Sequence, residues 1–424
     1  MSQASLAAAG GRSAIRWRIF AMIFVVVVIN LIDRTTISIA MPTIGHEFDL
    51  SNTMRGVILS AFFWSYALLQ VPGGWLIDRF GPRALIAGST VLWGFFQAIA
   101  AVATGGISLL ISRIGLGVAE APMFPAGAKL SALWLSPDER GRGAVMMDSG
   151  GPLGAAFGGL IISSLIIGFG SWRPAFAVVG IATMALGWLA WRWLRDDPAT
   201  HPDVNAAERA HIAGEGASRP SAPYVVPDRL HPVSVAGLLI GRMAWAMINF
   251  GLLTWGPSYL AKARGMNLAQ MGYATFVIFL CGMAGSLFSG FTADALLKKG
   301  CARGAVYKIM LSISGLATLA SFVILPMVAS PEAAVATLSA TLFFLYWGSL
   351  YWSLPTLLAP ADKVGFLGGI MNFAGSASGI AVPIVTGVVL DMTGTYQAVL
   401  YFFAACAALY VLGTLFIKLP KARA

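Results

Sequence analysis

Asn30-Leu31-Ile32-Asp33-Arg34-Thr35-Thr36 interrupts a run otherwise suited to lipid, with Ile19 to Ile29 before it and Ile37 to Met41 after it. A carboxylate and a guanidinium therefore sit midway along a segment long enough to span a bilayer. Charges at that depth cost roughly 2.5–3.5 kcal/mol each on insertion scales, and they usually face a protein interior or a watery cavity. Two readings are open at this point. One is a structural ion pair that fixes helix packing; the other is a substrate or proton site.

The surrounding composition is that of a membrane protein. The chain has 424 residues, 58% apolar and only 11% charged, with mean hydropathy +0.78. A 19-residue hydropathy window predicts spans at 19–41, 56–77, 84–104, 107–134, 143–167, 174–194, 235–260, 272–297, 305–326, 333–357, 366–390 and 396–417. The expected fold is all-α, with twelve transmembrane helices in two pseudo-symmetric six-helix bundles, 1–194 and 233–424. The polar stretch 195–232 is read as a cytoplasmic linker with a short amphipathic helix near Ala206–Ile212. The N-terminal arginines followed by an apolar run are read as a retained first helix, since the run carries Asp33-Arg34 and lacks a small-residue cleavage site.

The net charge of +10 is read as topology signal rather than a nucleic-acid footprint, because few basic residues lie outside membrane flanks. With the N-terminus inside, inner segments collect Arg12, Arg16, Arg18, Arg79, Arg83, Arg140, Arg142, Lys298, Lys299 and Lys418. Outer segments hold only Arg55, Arg173, Lys262 and Arg264. Both ends are expected on the cytoplasmic side. Cys281, Cys301 and Cys406, and the scattered His46, His201, His211 and His231, show no ligand spacing, and no histidine falls in a predicted span. No metal, cofactor or nucleophile–base pair is expected.

A repeat supports the division into halves. Gly74-Trp75-Leu76-Ile77-Asp78-Arg79-Phe80-Gly81-Pro82-Arg83 follows the second span, and Gly290-Phe291-Thr292-Ala293-Asp294 with Lys298, Lys299 and Arg303 follows the eighth. The glycines are expected to let helices approach. Asp78 and Asp294 are expected to latch one conformation by holding a helix N-terminus or an arginine. Gly74, Asp78, Arg79, Arg83 and Asp294 are thus candidate gating residues for two halves that rock about a central site.

This loop motif and the twelve-span pattern resemble the major facilitator superfamily, with Pro82 in place of the usual basic residue. A narrower resemblance is to its anion:cation symporter branch. Four stretches carry it: Asp33-Arg34, Arg113-Ile114-Gly115-Leu116-Gly117-Val118-Ala119-Glu120-Ala121-Pro122, Asp138-Glu139-Arg140-Gly141-Arg142, and Thr254-Trp255-Gly256-Pro257-Ser258-Tyr259-Leu260. That branch imports organic anions with protons. The resemblance implies that Arg34 binds the substrate's acid group, that Tyr66 contacts substrate, and that Ser349, Trp352 and Asn372 line the same pocket.

The side chains allow that chemistry. A guanidinium stays charged and grips carboxylate or sulfonate as a fork. Neighbouring helix positions point about 100° apart, so Arg34 can face a cavity while Asp33 faces the fourth helix. Arg113 and Glu120 share a face of that helix, which predicts an ion pair between them. Glycines 115 and 117 should admit a close neighbour, and Pro122 and Pro125 should loosen the helix beyond Glu120. Asp33 and Glu120 are the expected proton-coupling carboxylates and Arg113 their partner. Tyr66 and Gln70 lie one turn apart, as do Asn372 and Ser376. Arg242 and Lys129 are expected to snorkel toward the cytoplasm, with a gating or ligand role as the alternative.

Two positions depart from galactonate-type carriers: Leu31 replaces a tyrosine, and Asp148-Ser149-Gly150-Gly151-Pro152 replaces a stretch with a glutamine. They point to a smaller or less hydroxylated anion, such as a short dicarboxylate, a sulfonated carboxylate like sulfoacetate, or an aromatic acid. The expected protein is a proton–anion importer of the bacterial inner membrane, embedded in the lipid bilayer as a monomer, with no nucleic-acid partner. An exporter or antiporter, to which Gly151-Pro152 and the following glycines point faintly, and a non-transporting membrane sensor are the alternatives.

Overall fold

The computed structural model describes residues 12–136, 139–213, 230–360 and 363–419. The described residues are helical, with no strand among them. In chain order they form α1 (Ile15–Glu47), α2 (Asn52–Phe80), α3 (Pro82–Ile99), α4 (Gly106–Glu120), α5 (Met123–Trp134), α6 (Arg140–Phe169), α7 (Trp172–Trp193) and α8 (Ala206–Ile212). After the linker come α9 (Pro232–Arg264), α10 (Leu268–Lys298), α11 (Arg303–Ile324), α12 (Pro331–Leu345), α13 (Leu354–Leu358), α14 (Val364–Thr393) and α15 (Tyr396–Phe416).

Among the described residues, eleven helical segments are long and apolar enough to cross a membrane, or twelve when the bent Asn52–Gln70 and Pro72–Phe80 pair counts as one. The bend of 57° falls at Pro72, which has no N–H to give the preceding turn. Two spans are broken. The fourth divides between α4 and α5 just after Glu120, where Pro122 sits at the junction. The tenth passes through a 3-10 stretch, Tyr346–Ser353, between α12 and α13. The linker helix forms at the expected Ala206–Ile212, with Asn205 accepting the Glu208 N–H as its cap. The first helix runs further than expected, to Glu47, and so takes in His46.

Large apolar side chains such as Leu68, Val102, Ile111, Phe291 and Tyr401 stay exposed on these helices, as a hydrocarbon solvent permits. With apolar surface facing lipid, close approach of small residues holds the helices together. Within the helices before residue 194, α3 packs on α7, α1 on α6 and α2 on α4; after residue 232, α9 packs on α14 and α15, and α10 on α12. Contacts between these two sets run through α6 with α10, α2 with α14 and α1 with α9.

Those crossings concentrate at one end of the molecule, the face reached by Glu47 and Thr393. A Cβ at Gly159 would lie 2.8 Å from the Gly272 carbonyl oxygen, and one at Gly387 would lie 2.9 Å from the Asn52 carbonyl carbon. At the same face Asp391 of α14 accepts from the Asn52 N–H at 3.1 Å and the Thr53 N–H at 2.7 Å. A carboxylate from one set of helices thus caps the first turn of α2 in the other.

The opposite face carries Ile15 and Phe416, and here the helix ends stand apart. A Cβ on Gly74 or Gly290 would meet nothing within 4 Å, so the close approach expected at these glycines is absent from this conformation. The predicted latches also differ. Asp78 takes Lys129 at 2.6 Å, so the lysine's head group reaches an exposed carboxylate at this face. The helix N-terminus is held by Asp196 of the linker, whose Oδ1 accepts the Arg83 N–H at 2.7 Å. Arg83 donates to the Trp191 carbonyl, Arg79 lies over the Trp75 and Phe80 rings, and Asp294 is exposed.

The linker is bound to this face by charge. Glu208 of α8 is fully buried and accepts the Ile15 and Arg16 N–H groups at the start of α1, and the Ser13 hydroxyl. Arg16 bridges Glu208 at 2.8 Å and Glu139 at 2.9 Å, and His211 lies 3.1 Å from Glu139. Burial raises the Glu139 pKa, but hydrogen bonds from Arg16 and His211 outweigh it and hold the carboxyl down at about 2. A depressed folded-state pKa contributes stability above the unfolded value of 4.5 that is lost as pH falls toward 2. Thermal unfolding of Glu139→Gln should therefore begin at lower temperature than wild type at pH 7, and the gap should close steadily between pH 4.5 and the lowest pH accessible; a constant gap would contradict the assignment.

Candidate functional site

Midway along α1, Asp33 and Arg34 leave the helix in different directions and take different partners. Arg34 Nε donates to Glu120 Oε2 at 2.8 Å. Its guanidinium lies 4.5 Å from the Phe62 ring centroid and 4.8 Å from that of Tyr66. Glu120 is fully buried, and Oε1 has no hydrogen-bond partner among the described residues. The pair expected between Arg113 and Glu120 is thus corrected: seven-residue spacing puts them on one face of α4, but α1 brings Arg34 to the carboxylate first. Arg113 is buried beside them, its guanidinium 5.4 Å from the Phe62 ring, with Nε making no hydrogen bond among the described residues. It lines a narrow pocket with Arg34, Phe62 and Thr254.

Asp33 does not face the fourth span. Its Oδ2 accepts from Trp93 Nε1 of α3 at 2.9 Å and from Thr183 Oγ1 of α7 at 3.0 Å. Oδ1 has no partner among the described residues, and the side chain is fully buried. Asn30, one turn before Arg34, is also fully buried.

The close approach that places α4 comes from its glycines. A Cβ on Gly117 would collide with the Phe62 carbonyl oxygen, and one on Gly115 with the Phe96 ring. The break after Glu120 falls where Pro122 was expected to loosen the helix.

Arg34 forms part of the wall of a cavity of about 420 Å³, a volume suited to a small organic molecule. Tyr66 and Gln70 line it from α2, Ser349 and Trp352 from the 3-10 stretch, and Asn372 and Ser376 from α14. In a 3-10 turn residues three apart eclipse, which puts Ser349 and Trp352 on one side. Asn372 Nδ2 donates to Gln70 Oε1 at 3.1 Å across the two helix sets. Ser349 and Trp352 also wall a second cavity of about 570 Å³, lined by Ser149, Gly290 and Asp294, toward the face carrying Ile15 and Phe416. All five expected pocket residues therefore meet at one cavity, and Asp33 lies behind it.

The structure places several other residues differently from their reading in the sequence, or gives a place to ones that the sequence did not single out. Arg242 does not snorkel: it is buried, lines the 420 Å³ cavity, and lies 4.2 Å from the Trp245 ring. Trp93 and Thr183 carry no charge and gave no signal. The side chain of Asp148 lies outside the described residues. Gly151 and Pro152 line the cavity, while Gly154 and Gly158 are filled by α1 at Leu31 and Thr35, so helix packing accounts for the latter two glycines. No group of three or more His, Cys, Asp and Glu residues suited to a metal occurs among the described residues.

Comparison with known proteins agrees with this architecture. The family model described as Major Facilitator Superfamily matches residues 23–383. A probable galactarate/D-glucarate transporter of Bacillus subtilis (strain 168) is 32% identical over 445 residues, covering 99% of this chain and 95% of the relative. A probable sulfoacetate transporter of Cupriavidus necator is 32% identical over 405 residues, covering 92% and 91%. Among solved structures, a D-xylose-proton symporter superposes with TM-score 0.73 at 15% identity over 95% of this chain and 97% of that one, a likeness of fold alone.

Removing one partner of the buried pair leaves the other charged in an apolar setting, which costs about 3–5 kcal/mol, whereas replacing both is far milder. Arg34→Ala should accordingly lower the unfolding temperature sharply. The double variant Arg34→Ala/Glu120→Gln should recover most of the loss in the same thermal scan; equal losses in both would show that the pair is not the source of the effect.

Proposed function

Since the chain belongs to the Major Facilitator Superfamily, and is a multi-pass membrane transporter rather than an enzyme, we propose that it imports a small organic anion by proton symport through alternating access. The observation that carries this reading is the Arg34–Glu120 pair at 2.8 Å in the wall of the central cavity. One guanidinium serves both a carboxylate that can take a proton and a cavity that can take an anion. The relatives named for galactarate, glucarate and sulfoacetate support an anionic cargo.

In this reading residues 1–194 and 233–424 are two six-helix bundles that rock about the cavity, joined by the linker. The face carrying both termini is cytoplasmic, following the Lys and Arg bias, and the protein resides in the bacterial cytoplasmic membrane as a monomer. The conformation described then has its outer end closed by α2, α6, α10 and α14 and its inner end open. Gly74 and Gly290, clear of neighbours here, become contact points when the inner end closes, with Asp78, Arg79, Arg83 and Asp294 beside them.

The coupling follows from competition for Arg34. An ionised Glu120 holds Nε. A proton on Glu120 ends that hold and presents the whole fork to the anion's acid group. Asp33 accepts a second proton behind the site, with Trp93 and Thr183 as its neighbours, and Arg113 offsets the negative charge of both carboxylates. Tyr66, Ser349, Trp352 and Asn372 meet the remainder of the substrate with rings and hydrogen bonds. Release of anion and proton to the inside restores the pair and readies the empty carrier for return.

The reading is tested with reconstituted protein in liposomes under an imposed inward proton gradient. Wild type should accumulate a labelled organic anion above equilibrium. Glu120→Gln should lose gradient-driven accumulation while retaining exchange of labelled for unlabelled substrate; accumulation at the wild-type level would remove Glu120 from the coupling, and flux only outward would favour an exporter.

A further inference from the structure

Asp391 lies in the last turn of α14, exposed at the face reached by Glu47 and Thr393. Its Oδ1 accepts the Asn52 N–H at 3.1 Å and the Asn52 Nδ2 amide at 2.9 Å. Its Oδ2 accepts the Thr53 N–H at 2.7 Å and the Thr53 hydroxyl. All four donors belong to the first turn of α2, in the other helix set. The first N–H groups of a helix have no partner inside it. In α2 the intrahelical ladder begins with the Arg55 N–H on the Ser51 carbonyl at 3.0 Å, and the Ser51 hydroxyl accepts the Met54 N–H at 3.1 Å. The N–H groups of Asn52 and Thr53 are left, and these are the two that Asp391 holds. The start of α2 is thus completed from 339 positions away. Along the same ridge of α14, a Cβ on Gly387 would lie 2.9 Å from the Asn52 carbonyl carbon, and the Pro383 carbonyl meets Gly56 of α2. These glycines permit contact but supply no attraction. The Arg34–Glu120, Arg16–Glu208 and Lys129–Asp78 pairs lie within the first helix set and its linker, so they do not hold one set to the other.

Resting on the alternating-access reading, we propose that Asp391 is the lock of this face: its carboxylate fastens the helix set after the linker to the first turn of α2, and it lets go whenever the cavity opens at this end. An exposed carboxylate facing a single cation is worth little, because water and salt screen it. Asp391 differs in that both oxygens are occupied, by four donors, and two of these are backbone N–H groups at the positive end of a helix dipole. Release leaves those two N–H groups to water, and the loss falls on the open state alone. An interaction made in one conformation and absent from the other shifts the balance between them by its full worth. Weakening the lock therefore raises the share of empty carrier that is open at this face, and with it the apparent affinity for a molecule arriving there. The glycine seam fixes where the helices meet, and the carboxylate sets how readily they part.

The experiment reads opening by alkylation of the purified full-length protein. Ser38 of α1 is 1% exposed and lines a narrow pocket with Thr254 of α9, between the two helix sets. With Cys281, Cys301 and Cys406 replaced by serine, Ser38→Cys supplies a thiol that a soluble maleimide reaches when this end opens. Asp391→Ala should speed that reaction about five-fold or more. Asp391→Asn, which keeps an acceptor oxygen but no charge, should give a smaller increase. Ser51→Ala removes the cap that α2 supplies to itself and touches no interface between the sets, so its rate should stay near wild type. Gly387→Ala, whose methyl group would press on the Asn52 backbone, is the positive control and should raise the rate. An unchanged rate in Asp391→Ala beside a raised rate in Gly387→Ala would overturn the lock and leave alternating access standing. A Ser51→Ala rate as high as that of Asp391→Ala would also overturn the lock, since fraying of α2 would then account for both. If Asp391→Ala does not fold, Asp391→Asn set against Ser51→Ala decides. A rate unmoved by every variant would overturn both the lock and the rocking of two halves.

Discussion

The ion pair between Arg34 and Glu120 is the constraint around which this structure is arranged. Two opposite charges at bilayer depth are tolerable when they meet each other and share their surroundings with polar groups or a cavity. Meeting requires α4 to lie close against its neighbours. The glycines at 115 and 117 permit that approach by leaving Phe62 and Phe96 nothing to strike. The chain also breaks just beyond Glu120, between α4 and α5. The cavity, the aromatic bed under Arg34 and the separate placement of Asp33 all follow from where this pair is held.

Asp33 illustrates how one position along a helix separates two jobs. Its neighbour Arg34 looks onto the cavity, while Asp33 is turned to Trp93 and Thr183 and fully enclosed. The carboxyl is therefore shielded from direct contact with a cavity-bound molecule. That division keeps the two side chains, one residue apart, in separate surroundings.

Much of this was legible from residues alone, for identifiable reasons. Spans follow from hydropathy, and the linker helix follows from the amphipathic stretch at Ala206–Ile212. Arg34, Tyr66, Ser349, Trp352 and Asn372 do gather at one cavity. What failed is tertiary. The spacing of Arg113 and Glu120 is correct as helical geometry, yet it carries no knowledge of the arginine that α1 supplies. The depth of Arg242 along α9 is correct as arithmetic, yet snorkelling is moot when a cavity reaches the side chain. Asp78 was expected to hold a helix end that Asp196, from the linker, in fact holds. Trp93 and Thr183 are ordinary membrane residues until a carboxylate is seen between them.

The glycine-lined seal between α6 and α10, and that between α2 and α14, has a consequence for how such a protein changes over generations. Where backbone meets backbone, as at Gly159 with Gly272 and Gly387 with Asn52, no side chain can yield to make room. A single added methyl group acts on the distance between two whole helix sets and so on the balance between conformations. The cavity wall is different, since its side chains can be exchanged without moving a helix axis. The cavity wall can therefore take substitutions that leave the helix axes in place, while the seal is under a steric limit that has nothing to do with what is carried.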